Sequence, residues 1–246
     1  MTNIDSPIML WLSHVSVTPR ILIVMIAAAA AALIYVSAAA ASCNPGRTPN
    51  HETYGIAVGW DASPPSGTCL DGSLASMQVK TPYFYADKTL VFTALYNSTN
   101  ATHAWVGWQQ TSSGLQTFSE TNVVSTGYFA HDTYGSVSSG TDPAYKVTFG
   151  SGDIKYWMNG SQIDDLSGTG FNGCYAQQVG DTYNDANQMA GEPTNHEQIT
   201  NSEVRRADTE SWYTATNWSP FTGEGTWYNK QVQSNSAIDI WDTCTS

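Results

Sequence analysis

Positive charge is scarce in this 246-residue chain: nine Lys and Arg stand against 21 Asp and Glu, giving a net charge of −12. A surface of that sign repels phosphate backbones, which excludes nucleic acid as a partner. No C-x-x-C pair occurs, and the five histidines show no pair at metal-ligand spacing, so neither a metal nor a cofactor is expected. A Gly-x-Ser-x-Gly elbow is also missing, which disfavours a serine nucleophile. Internal repeats and linkers are absent, leaving one domain. Lys, Glu and Leu are thin while Ser, Thr, Asn, Gly, Tyr and Trp abound, a composition that favours strands and turns over helices.

Charge is missing altogether from Ile21 to Ala41, where alanines dominate an apolar run that follows Arg20. The small residues Ala38 to Ser42 suit signal peptidase, so residues 1–42 read as a secretory signal helix and 43–246 as the exported domain. The alternative is an uncleaved membrane anchor, because about 20 apolar residues span a bilayer. A secreted, extracellular monomer is expected, with membrane association only if the segment is kept.

All four cysteines lie after that segment, which in an exported chain implies two disulfides and leaves three pairings. Cys43 with Cys69 and Cys174 with Cys244 is the favoured set: the first closes a short N-terminal loop and the second ties down the last strand.

Strand-like runs bounded by Gly, Pro, Asn, Asp or Ser occur at Tyr54 to Trp60, Leu74 to Lys80, Thr89 to Tyr96, Ala104 to Gln110, Val123 to Ala130, Tyr145 to Phe149 and Ile154 to Met158. Short strands at this spacing predict an all-β, two-sheet sandwich. Asn159-Gly160 supplies the positive φ values of a type I′ hairpin turn, and Gly150 to Asp153 links two earlier strands, predicting a three-stranded meander. Gly180 to Asn201 is polar and reads as a surface loop.

Among nine tryptophans, Trp105, Trp108 and Trp157 sit in strand-like runs and read as core. Trp212 and Trp218 stand among polar residues and are candidates for a glycan-stacking platform. Four Asn-x-Ser/Thr triplets, at Asn97, Asn100, Asn159 and Asn217, are expected by chance in so Asn- and Ser-rich a chain. The densest acidic stretch holds Asp181, Asp185, Glu192 and Glu197, which suits either a solvated or calcium-binding loop or acid-base hydrolysis. Hydrolysis needs two groups whose environments give them different protonation states.

Two segments carry a resemblance. Ala75-Ser76-Met77-Gln78-Val79-Lys80-Thr81-Pro82, then Leu90 to Tyr96, then Ala104-Trp105-Val106-Gly107-Trp108, resembles the opening strands of neprosin-type proteins and, more distantly, the fungal glutamic peptidases (eqolisins). Gln177-Gln178-Val179-Gly180-Asp181-Thr182, with Asn187-Gln188-Met189-Ala190-Gly191, is similar to their later Gly-Glu-Val and Gln-Met-Gly-Ser-Gly segment. The resemblance implies a concanavalin-like jelly roll and a secreted peptidase acting at acidic pH on peptide or another extracellular polymer. Its first catalytic position falls on Trp105, where the family keeps a carboxylate or glutamine, and its second on Asp181. An indole can neither activate water nor stabilise an oxyanion as those groups do. The resemblance therefore implies an altered pair: Asp181 with Gln109, which shares the face of Trp105 about 13 Å further along the strand. Trp105, Gln177 and Gln188 are then binding residues, beside the platform candidates Trp212 and Trp218. The rival expectation is a non-catalytic module that binds glycan or cell-surface polymer.

Overall fold

The computed structural model describes residues 56–97, 102–183, 187–222 and 228–243. The signal or anchor segment and cysteines Cys43 and Cys244 lie outside the described residues. The first half of the domain contains β1 (Ile56–Ala62), β2 (Leu70–Met77), β3 (Thr89–Tyr96), β4 (His103–Thr111), β5 (Gly114–Val123), β6 (Tyr128–Ser136), β7 (Ala144–Gly150) and β8 (Asp153–Met158). The second contains β9 (Ser161–Ser167), β10 (Tyr175–Thr182), β11 (Gly191–Glu192), β12 (Asn195–Arg206), β13 (Trp212–Tyr213), β14 (Trp218–Thr222), β15 (Tyr228–Ser234) and β16 (Ala237–Asp242).

These strands form the expected sandwich of two antiparallel sheets. One runs β14-β1-β10-β3-β4-β5-β6; the other runs β15-β16-β12-β2-β7-β8-β9, with β11 and β13 paired to β12. The meander is present as β7-β8-β9, and its hairpin turn has Asn159 at φ 49° and Gly160 at φ 79°. Two expectations fail locally. Val123 to Ala130 is not one strand: it joins the end of β5 to the start of β6 through a turn containing Gly127 at φ 68°. Gly180 to Asn201 is not one loop either, because its polar residues alternate along the first half of β12, with Glu197 and Ile199 turned inward.

The core lies between the sheets, where Trp60, Trp108, Tyr145 and Tyr156 are fully buried. Polar side chains rivet one sheet to the other. Gln178 of β10 accepts from Trp60 Nε1 at 2.8 Å and donates to the carbonyl of Leu74 on β2 at 2.9 Å. Ser73 and Thr93 share a bond of 2.6 Å across the same gap, and the Tyr156 hydroxyl meets Thr121. Each buried polar group so paired escapes the penalty of an unmade hydrogen bond.

The disulfide corrects the favoured pairing: Cys69 bonds Cys174. Loop length was the wrong criterion, because the two residues precede β2 and β10, strands of different sheets. The backbone brings them together, with Leu70 N donating to the Cys174 carbonyl at 3.0 Å. This crosslink closes a loop of 105 residues between the sheets. In the chain-entropy view such a loop contributes about 4–5 kcal/mol by restricting the unfolded chain.

Candidate active site

Alternate residues of β1, β10, β3, β4, β5 and β6 point away from the core, and the register arranges them in rows. One row runs Asp61, Gln177, Ala94, Trp105, Glu120, His131. The next runs through Val179, Phe92, Gly107 and Phe118, and a third through Asp181, Leu90, Gln109 and Gln116. A Cβ on Gly107 would stand 1.9 Å from the Val91 carbonyl oxygen, so only glycine permits this close passage of β4 against β3. The Trp-Val-Gly-Trp segment thus sets the local sheet geometry rather than supplying a catalytic group.

Glu120 on β5 anchors one corner. Its Oε1 lies 3.2 Å from His103 Nε2, and its Oε2 lies 2.8 Å from His131 Nδ1 and 3.1 Å from Lys88 Nζ. A flat sheet would separate Lys88 from the row of Glu120 by roughly 20 Å along the strand, beyond the reach of both side chains. The 3.1 Å contact shows that the sheet is not flat here. Burial alone would raise the Glu120 pKa. The hydrogen bonds of His103 and His131 and the Lys88 charge outweigh it and hold the carboxyl well below the usual range.

Asp181 on β10 anchors the other corner. It is 5% exposed, close to the 4% of Glu120, yet it has no such partners and its Oδ1 makes no hydrogen bond. Burial pushes its pKa up to about 7; the Lys88 charge and the Thr182 backbone pull it down, and the Glu120 charge pushes it further up. The two carboxyls therefore hold opposite protonation states across the acid range. Paired groups with pKa values driven apart are the arrangement that acid-base hydrolysis requires.

Between the corners lies an aromatic floor. Trp105 stacks on His103 at 3.8 Å and on Phe92 at 4.4 Å, and Phe118 lies flat against His131 at 5.6 Å. A cavity of about 280 Å³ opens beside it, lined by Asp87, Lys88, Gln109, Thr111, His131 and Tyr183. Lys88 also sits 4.3 Å over the Tyr183 ring, and burial with the Asp181 and Glu120 charges raises the Tyr183 pKa. Trp105 Nε1, Gln109 Oε1 and His103 Nδ1 are buried without a partner. Such atoms mark places a substrate can satisfy. Among the described residues, no group of three His, Cys, Asp or Glu has geometry to hold a metal.

The expected site residues divide accordingly. Asp181, Gln109, Trp105 and Gln177 share the outer face, with Gln109 two strands from Asp181 across Leu90, about 10 Å. Trp105 and Trp157 are not core as expected. Trp105 faces the cleft, while the Trp157 ring lies 4.1 Å beneath Lys146 on the other sheet; only Trp108 of the three is interior. Gln188 braces the chain before β3, accepting from Tyr83 N at 2.8 Å. Trp212 and Trp218 are half-buried and form no common platform: one packs against Gly72 of the nine-stranded sheet, and the other stacks on Trp60 at 4.6 Å.

Glu120 was the residue that sequence reasoning missed. Its signal is the two-residue turn Ser112-Ser113, which pairs Thr111 with Gly114 and thereby sets Glu120 directly opposite Trp105. Recognising β5 would have placed a carboxylate next to the position where the family resemblance found only an indole.

No protein-family model matches the chain, and no curated protein does either. Solved structures do. A scytalido-glutamic peptidase bound to a peptide-based transition-state analogue superposes with a TM-score of 0.60 at 10% identity, covering 77% of this chain and 98% of that one. SCP-B, a member of the eqolisin family of peptidases in complex with the tripeptide Ala-Ile-His, gives 0.58 at 9% identity with the same coverage. At such identities the likeness establishes the fold alone: this domain is a two-sheet β-sandwich similar to that of those peptidases.

Proposed function

We propose that the chain is an exported, neprosin-like acid peptidase in which Glu120 and Asp181 form the catalytic pair. The observation that carries this reading is the presence on one sheet face of two buried carboxyls that both feel the Lys88 charge, one braced by His103, His131 and Lys88 and the other left without a partner on Oδ1. Glu120 takes over the part that the family resemblance assigns to position 105, and Gln109 becomes an auxiliary donor.

In this reading water displaces the Lys88 ammonium from Glu120 Oε2, which restores basicity to the carboxylate, and the carboxylate accepts a proton from that water as the water oxygen bonds to the peptide carbonyl carbon. Protonated Asp181 gives its proton to the departing nitrogen as the C–N bond breaks, leaving a carboxylic acid and an amine. The Gln109 amide polarises the carbonyl oxygen, and proton exchange with solvent resets the pair. Gln177 and the Trp105 floor hold the substrate chain.

Peptide hydrolysis measured across pH tests this. Asp181→Asn should lower kcat/KM by on the order of 10³-fold, as loss of a general acid does. The wild-type rate should fall as pH rises through about 7, where Asp181 loses its proton. Full hydrolysis by Asp181→Asn would remove the pair from consideration.

A further inference from the structure

Asp61 of β1 lies on the same outer face but takes no part in the proposed chemistry. The register puts it opposite Gln177 of β10, four residues along that strand from Asp181. Burial raises the pKa of its carboxyl while the neighbouring Gln177 and Tyr96 side chains pull it down, and Tyr175 stands against Tyr96 with ring centroids 5.5 Å apart. Tyr96 and Gln177 are 7% and 8% exposed and Asp61 itself is half-buried, so the carboxylate is partly withdrawn from water. Its Oδ1 is buried and makes no hydrogen bond. Its side-chain neighbours Tyr96 and Gln177 are neutral, and among the described residues no cation forms an ion pair with it.

A negative charge sunk among aromatic rings is costly unless something positive completes it. The Lys ammonium and the Arg guanidinium fit that description, since each makes charge-assisted hydrogen bonds to a carboxylate and lies favourably against tyrosine rings. Between Asp61 and Glu120 the row passes over Gln177, Ala94 and Trp105, and Ala94 is its smallest side chain. The row from Asp61 to Glu120 crosses four strand spacings, roughly 19 Å, and the step along β10 from Gln177 to Asp181 is roughly 13 Å, so the two carboxyls lie about four to six residues of extended peptide from Asp61. The net charge of −12 favours encounter with basic chains.

We propose that Asp61, with Tyr96, Tyr175 and Gln177, forms a subsite for a Lys or Arg side chain of a peptide substrate, about four to six residues from the bond that is cut. The proposal rests on the peptidase reading for what the peptide is doing on this face, but the subsite is testable by binding alone.

The probes are N-acetylated, C-amidated ten-residue peptides, identical except for one Lys, norleucine or Glu moved through the sequence. Capped ends exclude a free terminal ammonium as the group recognised. Binding is measured by fluorescence anisotropy with the Asp181→Asn protein near neutral pH, and hydrolysis is measured with the wild type. At one register the Lys peptide should bind about tenfold tighter than the norleucine peptide, as a charge-assisted bond of ordinary strength gives. Adding Asp61→Asn should bring that ratio to about one, and Asp61→Lys should turn the preference toward the Glu peptide. Equal binding of Lys and norleucine peptides at every position, or a Lys preference that survives Asp61→Asn, would overturn the subsite. Wild-type cleavage without any Lys preference would defeat the subsite and leave the peptidase reading standing. Lys-selective binding without wild-type cleavage would do the reverse, and neither binding nor cleavage would defeat both.

Discussion

Glu120 and Asp181 occupy two corners of one sheet face and are buried to nearly the same degree, yet their charges are controlled in opposite ways. At the Glu120 corner, three donors converge and stabilise the anion. At the Asp181 corner, burial acts almost alone and the neutral acid is favoured. The difference teaches that burial does not fix the charge of a carboxyl; the partners supplied by neighbouring strands do. It also explains how a sheet can place a permanent anion and a proton donor within each other's field without the two sharing a proton.

The largest effect should come from removing one corner. Glu120→Gln is expected to lower peptide hydrolysis by on the order of 10³-fold, because the base is gone. The same change should lower the Asp181 pKa from about 7, since a repelling charge disappears. Peptide kinetics and a carboxyl titration read these two consequences separately.

A second way to sharpen the contrast is stability against pH. The folded pKa of Asp181 lies above its unfolded value, so its contribution is fully present below the unfolded pKa of 3.8 and is lost as pH rises through about 7. Glu120 has the opposite sign: its contribution is present above its unfolded value and is lost as pH falls through its depressed folded value. Asp181→Asn should therefore flatten the urea-unfolding profile between these limits and add on the order of 4 kcal/mol above pH 7, the free-energy equivalent of the shift.

Weakening the bracing at the Glu120 corner should cost somewhat less. His131→Ala removes a 2.8 Å hydrogen bond to a buried anion and should destabilise the fold by about 1.5–3 kcal/mol in urea titrations at neutral pH. The smallest expected change concerns Glu197, a buried carboxyl in the sandwich interior whose two oxygens find no hydrogen bond. Burial raises its pKa, so its contribution to stability fades as pH rises through the folded value. Glu197→Met should add about 2 kcal/mol near neutral pH and much less in acid, because it removes an unsatisfied polar group. Glu197 is the control for the comparison: a buried carboxyl on the inner face, away from the cleft.

Much of the sandwich was legible because its central strands are strongly apolar. Thr89 to Tyr96 matches β3 residue for residue, and Tyr145 to Phe149 and Ile154 to Met158 fall inside β7 and β8. Asn159-Gly160 announced its hairpin because few residue pairs accept two positive φ angles. Polar strands were not legible. β5 carries Gln116, Ser119, Glu120 and Asn122, and β12 carries Asn195, Gln198, Thr200 and Asn201, so neither shows the alternation by which strands are recognised. That blindness removed half of the site, because Glu120 lies on β5. Asp181 was found through the family resemblance, but its buried state depends on contacts that no spacing reveals. The disulfide partner of Cys69 was hidden for a related reason: pairing follows sheet topology, which brings residues 69 and 174 together across 105 positions.

The most direct test is a carbon-detected NMR titration of the side-chain carboxyls in the intact protein. The expected result is a midpoint near 7 for Asp181, with Glu120 remaining ionised through the acid range in which ordinary carboxylates titrate. Titration of both groups together near the usual carboxylate value of about 4 would contradict the division of charge on which the proposed chemistry depends.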